Sequence, residues 1–341
     1  MKFLFFTALV FIAIIFAKSL KIKDTQWQPQ PFNTTNTLPL RGILALLIVL
    51  HHFFVSMPSG WPPSDFFVYL GAMVVGMFFF ISGYGLTISY LNKGKNYLSG
   101  FWNKRVKKII IPLLVTIAVY ELANKHYNLL NVFNGLKNGQ TPTPFTWFVY
   151  TIIIYYAVFY ISFKFFKIKT ALAIMLIFTA IYEYVIINLN WDSCWYSATF
   201  AINVGMYYAY YEEKIKSYLI KHTLSSVIAL STFIALFFLY AIINGKKQLG
   251  LPFGDFVLFW IMPLLIVFTI YFYGFKTNKL LNFVGNISYE IYIVHGIFVI
   301  FLQKYINNPL LYLIAIYATT ITVAWLLNIS TNKLFQLPKK A

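Results

Sequence analysis

Residues 40–53 read Leu40-Arg41-Gly42-Ile43-Leu44-Ala45-Leu46-Leu47-Ile48-Val49-Leu50-His51-His52-Phe53. The stretch belongs to a mainly apolar run over 39–57, about the length that a helix needs to cross a hydrocarbon core of about 30 Å. The run therefore predicts a membrane-spanning helix. It carries a cation near one end and two imidazoles deep within it, and such groups are costly in lipid.

The composition extends this prediction to the whole chain. Of the 341 residues, 60% are hydrophobic and only 11% are charged, against about 25% charged residues in a typical soluble domain. Lipid offers no partners for backbone amides, and the alternating pattern of a barrel strand is absent. The sequence predicts an all-α, polytopic transmembrane helical bundle.

Ten core helices are predicted, and a shorter apolar run over 3–17 predicts an extra N-terminal helix. The core spans are 39–57, 66–91, 106–124, 146–163, 169–190, 194–211, 221–243, 253–274, 283–304 and 309–332. The chain then divides into an N-terminal hydrophobic helix with a cytoplasmic linker (1–37), a membrane domain (38–335) and a cytoplasmic tail (336–341).

The distribution of charge predicts the orientation. The net charge is +18, but the basic residues form short clusters between apolar runs rather than one stripe, which argues against nucleic-acid binding. Most of the 27 Lys and Arg fall in alternate loops, and the positive-inside rule places those loops and the C-terminus in the cytoplasm. We expect a multi-pass protein of the inner (cytoplasmic) membrane. A cleaved signal at 3–17 would export residues 18–40 against their charge, so an uncleaved helix is favoured.

The first span combines Arg41 and His52 on one face. Eleven residues separate them, almost three helical turns, so they project from the same side about 16 Å apart, while His51 points about a quarter turn away. Only two of the 27 basic residues are Arg, and the planar guanidinium suggests phosphate or carboxylate recognition. The alternative is that Arg41 anchors the helix and the histidines bond neighbouring helices.

Two further segments carry weaker signals. Ser82, Gly83 and Gly85 permit close approach of another helix to the second span. Arg105 and Lys108 lie three residues apart, so they share a helical face that can bind the phosphates of a nucleotide-containing donor. A plain topogenic cluster of charges is the alternative reading of this segment.

The ninth span carries a polar stripe. Ser288, Tyr292 and His295 share a face at helical spacing. His295 and His52 each lie about twelve residues from the cytoplasmic edge, at a depth of about 18 Å, so both can face one cavity.

No metal site is predicted, because His51 and His52 are adjacent rather than four residues apart and no ligand-spaced carboxylate accompanies them. Glu183 and Glu290, the carboxylates deepest within spans, are interpreted as proton-relay members or partners of a buried cation.

Five short motifs, taken together, resemble the acyltransferase-3 family of integral membrane acyltransferases over nearly all of residues 38–335. In chain order they are Arg41 and His52; Phe79, Phe80, Ser82 and Gly83; Arg105, Lys108 and Pro112; Trp147 and Phe148; Ser288, Tyr289, Tyr292 and His295. Two positions depart from the family pattern: Gly76 stands where many members carry Asp, and Lys108 where they carry Arg.

The resemblance implies ten core helices and an acyl-CoA donor, acetyl-CoA foremost, that acts as a co-substrate reached from the cytoplasm. It also implies O-acylation of a carbohydrate or lipid-linked glycan by a chain embedded in membrane lipid. No tightly bound cofactor is expected.

Roles follow from the chemistry of an activated thioester, whose main need is a base for the acceptor hydroxyl. We expect His52 to be the general base or a transient acyl carrier, with Arg41 and His295 completing the catalytic group. Arg41, Arg105 and Lys108 are expected to hold donor phosphates, and His295 and Tyr292 to orient substrate or stabilise the oxyanion. The other substrate-orienting candidates are Ser288, Ser82 and Trp147.

The alternative function is a proton-coupled transporter or flippase of a cell-envelope intermediate. It would predict inverted repeats and helices broken in matching halves, and neither pattern is visible in the sequence. A polysaccharide polymerase or ligase would predict a large outer loop rich in Arg, but the longest predicted outer loop, 121–145, has none.

Overall fold

The computed structural model describes residues 34–57, 64–124, 129–222 and 279–336, and within these ranges the chain is helical and contains no strand. The predicted all-α class is confirmed. The predicted helix over 3–17, the span 253–274, and all but the first two residues of the span 221–243 lie outside the described residues.

The helices of the described ranges are numbered in chain order. They are α1 (Thr34–Ser56), α2 (Ser64–Lys93), α3 (Phe101–Arg105), α4 (Ile111–Asn124), α5 (Leu129–Lys137), α6 (Trp147–Phe165), α7 (Ile168–Asn188), α8 (Phe200–Lys221), α9 (Lys279–Asn286), α10 (Ser288–Gln303) and α11 (Pro309–Gln336). Short 3₁₀ turns cover Gly94–Leu98 and Ser193–Trp195, and a π-helical turn covers Val106–Ile110.

Five of these helices, α1, α2, α6, α7 and α11, are long and apolar enough to cross a membrane. Together, α9 and α10 meet the same criteria as one bent span, although their axes differ by 72°. The predicted polytopic membrane architecture is therefore confirmed by length and composition in the described part of the chain.

The predicted ninth span, 283–304, is broken rather than continuous. The break falls at Ile287, between α9 and α10, and the hydroxyl of Ser288 donates to the carbonyl of Gly285 across it at 2.8 Å. This bond satisfies a carbonyl at the end of α9, as helix ends in lipid require.

Other boundaries also differ from the sequence prediction. The predicted span 194–211 begins as a helix only at Phe200, because Ser193–Trp195 form a 3₁₀ turn in which the Asp192 side chain accepts the N–H of Cys194 at 2.9 Å. The predicted outer loop 121–145 contains α5.

The described chain forms two compact units, with boundaries inside α2 and α6. In the first unit, which contains α1, α3–α5 and α9–α11, α1 packs against α9 and α10, and α10 also packs against α11 and α4. Two glycines permit the contact between α1 and α9. A Cβ at Gly42 would lie 2.6 Å from the carbonyl oxygen of Leu281, and a Cβ at Gly285 would overlap the carbonyl of Leu38. Small residues thus allow backbone contact, as is usual between membrane helices.

The second unit contains residues 75–99 and the described residues from 156 to 222, and α7 packs against α8 within it. Here Gly83 and Gly205 make reciprocal contacts: a Cβ at Gly83 would overlap the carbonyl of Ile202, and one at Gly205 the carbonyl of Phe80. The close approach predicted for the second span is found at Gly83, whereas a Cβ at Gly85 would meet nothing within 4 Å.

Candidate active site

Two imidazoles from helices at opposite ends of the described chain meet in the first unit. His52 on α1 and His295 on α10 have ring centroids 5.0 Å apart. His295 is fully buried, and His52 keeps 9% of its surface exposed. The two histidines were predicted to face one cavity, and the contact agrees with that prediction, although the depth calculated for His295 counted across the bend between α9 and α10.

Hydrogen bonding fixes the tautomer of His295. Its Nδ1 lies 2.6 Å from the carbonyl oxygen of Tyr292, which can only accept, so the neutral ring carries its hydrogen on Nδ1 and a lone pair on Nε2. This Nε2 is buried, and so is Nδ1 of His52, and neither has a hydrogen-bond partner within the described ranges. Native proteins rarely leave such atoms unpaired without a functional reason.

His51 faces a different helix from His52. A Cβ at Gly71 on α2 would overlap the imidazole of His51, so the ring packs against a bare stretch of backbone. It meets His52 edge-on, with centroids 4.5 Å apart. Because adjacent residues of a helix point in different directions, His52 contacts α10 and His51 contacts α2.

The aromatic ring of Phe145 also packs at the site, and the sequence analysis did not identify this residue. Phe145 precedes α6 and stacks on His52, with centroids 3.9 Å apart and planes inclined by 16°. The hydroxyl of Tyr292 donates to the carbonyl of Phe145 at 2.7 Å. The only signal in the sequence is Pro144 before Phe145, which indicates a turn but gives no contact.

The basic segment runs from Arg105, the last residue of α3, into the π-helical turn Val106–Ile110, which contains Lys108. Pro112 has no N–H, so the carbonyl of Lys108 lacks the donor that a regular α-helix would supply. The N–H of Ile111 donates to Val106, five residues back, which is the π pattern. The hydroxyl of Tyr289 on α10 donates to the carbonyl of Ile109 at 2.7 Å. One hydrogen bond thus ties the basic turn to the helix that carries His295.

The two side chains of this segment that were predicted to bind donor phosphates differ in environment. Arg105 is half-buried, with its guanidinium carbon 3.7 Å from the centroid of the Phe101 ring, a cation–π geometry. Lys108 is exposed and attracts the buried carboxylate of Glu290 electrostatically. Glu290 also accepts a 2.9 Å hydrogen bond from the side-chain amide of Asn328 on α11. The guanidinium of Arg105 is thus held by a stacking contact, while the side chain of Lys108 is exposed.

The remaining candidates are dispersed. Arg41 is half-buried on α1, one residue before the Gly42 contact. Trp147 begins α6 and packs edge-on against Phe148, and Phe148 lies 5.5 Å from the Tyr292 ring. The hydroxyl of Ser288 is engaged at the helix break. Ser82 is half-buried in the second unit, beside Gly83. The structure thus groups Tyr292 and His295 with His52.

Glu183, the other deep carboxylate, lies in the second unit and accepts the hydroxyl hydrogen of Thr199 at 2.6 Å. Thr199 directly precedes α8, and on α8 itself the side-chain amide of Asn203 donates to the hydroxyl of Thr179 on α7 at 2.6 Å. These bonds join α7 to α8, which is the ordinary use of polar residues between membrane helices.

Comparison with known families places this geometry in context. The family described as an acyltransferase domain, acyltransferase-3, matches residues 40–329. No curated protein and no solved structure matches the chain. The matched segment contains the histidine pair and the basic turn, and it covers most of the chain. The protein therefore belongs to the acyltransferase-3 family of multi-pass membrane acyltransferases.

Proposed function

We propose that this protein transfers an acyl group, acetyl foremost, from acyl-CoA to a hydroxyl of a carbohydrate or lipid-linked glycan. The observation that carries the proposal is the His52–His295 pair, two buried imidazoles in contact with one unpaired nitrogen each, in a chain of an acyltransferase family. Buried imidazoles with unpaired nitrogens are suited to moving a proton.

The reaction needs one base and no redox partner. The imidazole of His52 takes the proton of the acceptor hydroxyl, because His52 is the partly exposed member of the pair. The hydroxyl oxygen attacks the thioester carbonyl, the new C–O bond forms and the C–S bond breaks. The CoA thiolate leaves and recovers the proton from the imidazolium. A positioned base of this kind typically contributes about 10²- to 10⁴-fold in rate.

His295 supports His52 in this scheme rather than binding the oxyanion. Its Nδ1 hydrogen is engaged by Tyr292, so the neutral ring has no second N–H to offer to an oxyanion. The ring of His295 lies 5.0 Å from that of His52 between centroids, and we assign its buried Nε2 lone pair the role of stabilising the imidazolium that forms on His52. The hydroxyl of Tyr292 is likewise engaged by Phe145, so its contribution is to hold the site together.

The donor phosphates are assigned to Arg105, Lys108 and Arg41. Arg105 supports the assignment because its stacked guanidinium is preorganised for a planar phosphate contact. Arg105→Ala should raise the concentration of acetyl-CoA that gives the half-maximal rate, and Lys108→Arg should leave it unchanged, since charge is retained there. Unchanged acetyl-CoA dependence in Arg105→Ala would return the cluster to a topogenic role.

This placement of the donor requires the basic turn to face the cytoplasm of an inner-membrane protein. Tags inserted within 93–108, or added after residue 341, should be protected from external protease in intact cells. Digestion of both tags would reverse the proposed orientation.

A proton-coupled transporter also has one observation in its favour, the break between α9 and α10, because transporter sites often lie at broken helices. The two functions differ in chemistry. An acyltransferase makes a covalent product, whereas a transporter moves its substrate unchanged.

The deciding experiment is mass spectrometry of cell-envelope glycans from cells with the gene, without it, and with His52→Ala in its place. Acyl esters present only with the wild-type gene support the proposal. Identical glycans in all three strains, with equal expression, would overturn it.

A further inference from the structure

The segment 141–146, which we call the threonine loop, is held by its own hydrogen bonds. The hydroxyl of Thr146 donates to the carbonyl of Thr143 at 2.8 Å, and the two hydroxyls lie 3.0 Å apart. Both threonines are fully buried. The hydroxyl of Thr141 donates to the same carbonyl at 2.8 Å. The loop is therefore a fixed structural unit at the start of α6.

Two residues of α10 that flank His295 attach this loop. Tyr292, one turn before His295, donates its hydroxyl hydrogen to the carbonyl of Phe145 at 2.7 Å. Gly296, directly after His295, lies against the carbonyl of Pro144, which a Cβ at that position would overlap. The helix that presents His295 thus also sets the position of the threonine loop.

The backbone of Phe145 is strained. Its φ is +61°, in the left-handed region that a bulky residue rarely adopts. Such a conformation costs about 1–3 kcal/mol and persists only where the surroundings enforce it. In this conformation the Phe145 ring stacks on the His52 ring, with centroids 3.9 Å apart, and its centroid lies 6.2 Å from that of the His295 ring.

We propose that Phe145 is a positioning residue that fixes the plane of the His52 imidazole and excludes water from one face of it. The proposal rests on the assignment of His52 as the base. The lone pair of an imidazole nitrogen lies in the ring plane, so a contact that fixes the plane also fixes the direction from which the reacting hydroxyl must approach. Loss of this contact should lower the maximal rate without changing how the donor binds, because no donor-binding residue is disturbed.

The test distinguishes the effect of losing the Phe145 ring from the effect of changing the backbone conformation at this position. Phe145→Gly removes the ring, yet glycine adopts positive φ without cost, so folding should be retained. Transfer of radiolabel from acetyl-CoA is measured in native membrane vesicles and normalised to folded protein. The maximal rate should fall about 10²-fold, since small errors of placement cost that much, while the acetyl-CoA concentration at half-maximal rate stays within about twofold. The control variant Phe145→Tyr keeps an aromatic ring, so its maximal rate should be close to that of the wild type.

A second readout does not depend on catalysis. Diethyl pyrocarbonate modifies accessible neutral imidazoles, and peptide mass spectrometry reports the modification of His52 and His51 separately. His52 should react faster in Phe145→Gly than in wild type, whereas His51, which packs on Gly71, should not change.

The outcomes are distinct. Wild-type rate and wild-type labelling in Phe145→Gly would overturn the positioning role. If that variant does not fold, Phe145→Asn replaces it, because Asn also tolerates positive φ but lacks the ring. If wild-type vesicles transfer no label, the proposed function fails, and the labelling of His52 still decides whether Phe145 shields that ring.

Discussion

The imidazoles of His52 and His295 lie 5.0 Å apart, and each keeps one buried nitrogen with no hydrogen-bond partner in the described parts of the chain. An unsatisfied buried polar atom costs about 1–3 kcal/mol, so the pair is a poor choice for stability alone. Apolar residues of similar shape would pack on Phe145 equally well without this cost. The arrangement is therefore better explained by proton transfer than by packing.

The adjacent histidines supply the most direct test of this view. His52→Ala should lower the rate of acyl transfer by about 10²-fold or more with little loss of folded protein, because it removes the base. His51→Ala should keep measurable activity and cost at most about 1 kcal/mol of stability, typical of one hydrogen bond. The measurement is label transfer from acetyl-CoA in matched membranes.

Expression level and melting temperature of the two variants serve as controls. Full activity in His52→Ala would remove its catalytic assignment. Equal loss of activity in both variants at equal stability would mean that the two histidines act together.

The substitution His295→Asn tests the roles of the two ring nitrogens of His295 separately. The side-chain amide nitrogen of Asn reaches about as far as Nδ1, so His295→Asn can still donate to the Tyr292 carbonyl, but it has nothing in place of Nε2. We expect a folded protein with a rate lower by about 10²-fold, at the lower end of the range for a positioned proton-transfer group. The check is the same transfer assay together with thermal unfolding. A fully active His295→Asn would assign His295 to structure only.

Helical periodicity explains why parts of this site were predictable. The positions of His52 and His51 relative to each other follow from 3.6 residues per turn of a single helix, and they agree with the observed packing of His52 on His295 and of His51 on Gly71. The equal depth of His52 and His295 was calculated for a continuous ninth span, but the count for His295 crosses the 72° bend between α9 and α10. The contact of the two rings therefore depends on how α10 packs against α1.

The features that the sequence did not predict depend on contacts between distant segments. Phe145 adopts positive φ because Tyr292 and Gly296 hold its loop, and no local pattern signals this. Pro112 interrupts the backbone hydrogen bonds at the start of a helix, which the sequence alone can indicate. The hydrogen bond from the Tyr289 hydroxyl to the carbonyl of Ile109 in the π turn joins segments far apart in the chain, and the sequence does not indicate it. Long-range hydrogen bonds decided both conformations.

Two tyrosines of α10 allow the donor site and the base to be tested separately. Tyr289 bonds the basic turn and Tyr292 bonds the threonine loop, each at 2.7 Å. Tyr289→Phe should raise the acetyl-CoA concentration at half-maximal rate about five- to tenfold, the equivalent of one hydrogen bond of about 1 kcal/mol, and leave the maximal rate nearly unchanged. Tyr292→Phe should mainly lower the maximal rate.

Each variant is the control for the other, because both lose one hydroxyl from the same helix. The same pattern of change in both would show that these bonds only hold α10 in place, and would contradict the separate roles of the two segments.

Two glycines of α2 provide a matched test of packing in the second unit. A Cβ at Gly83 would overlap the carbonyl of Ile202 on α8, whereas one at Gly85 would meet nothing within 4 Å. Gly83→Ala should therefore destabilise the protein by about 1–3 kcal/mol, the usual cost of forcing extra volume into a packed contact. Gly85→Ala should be neutral, or stabilising by up to about 1 kcal/mol through helix propensity. Unfolding of the detergent-solubilised variants, followed by Trp fluorescence, compares them directly, and a Gly85→Ala protein that melts below Gly83→Ala would contradict the observed contact between α2 and α8.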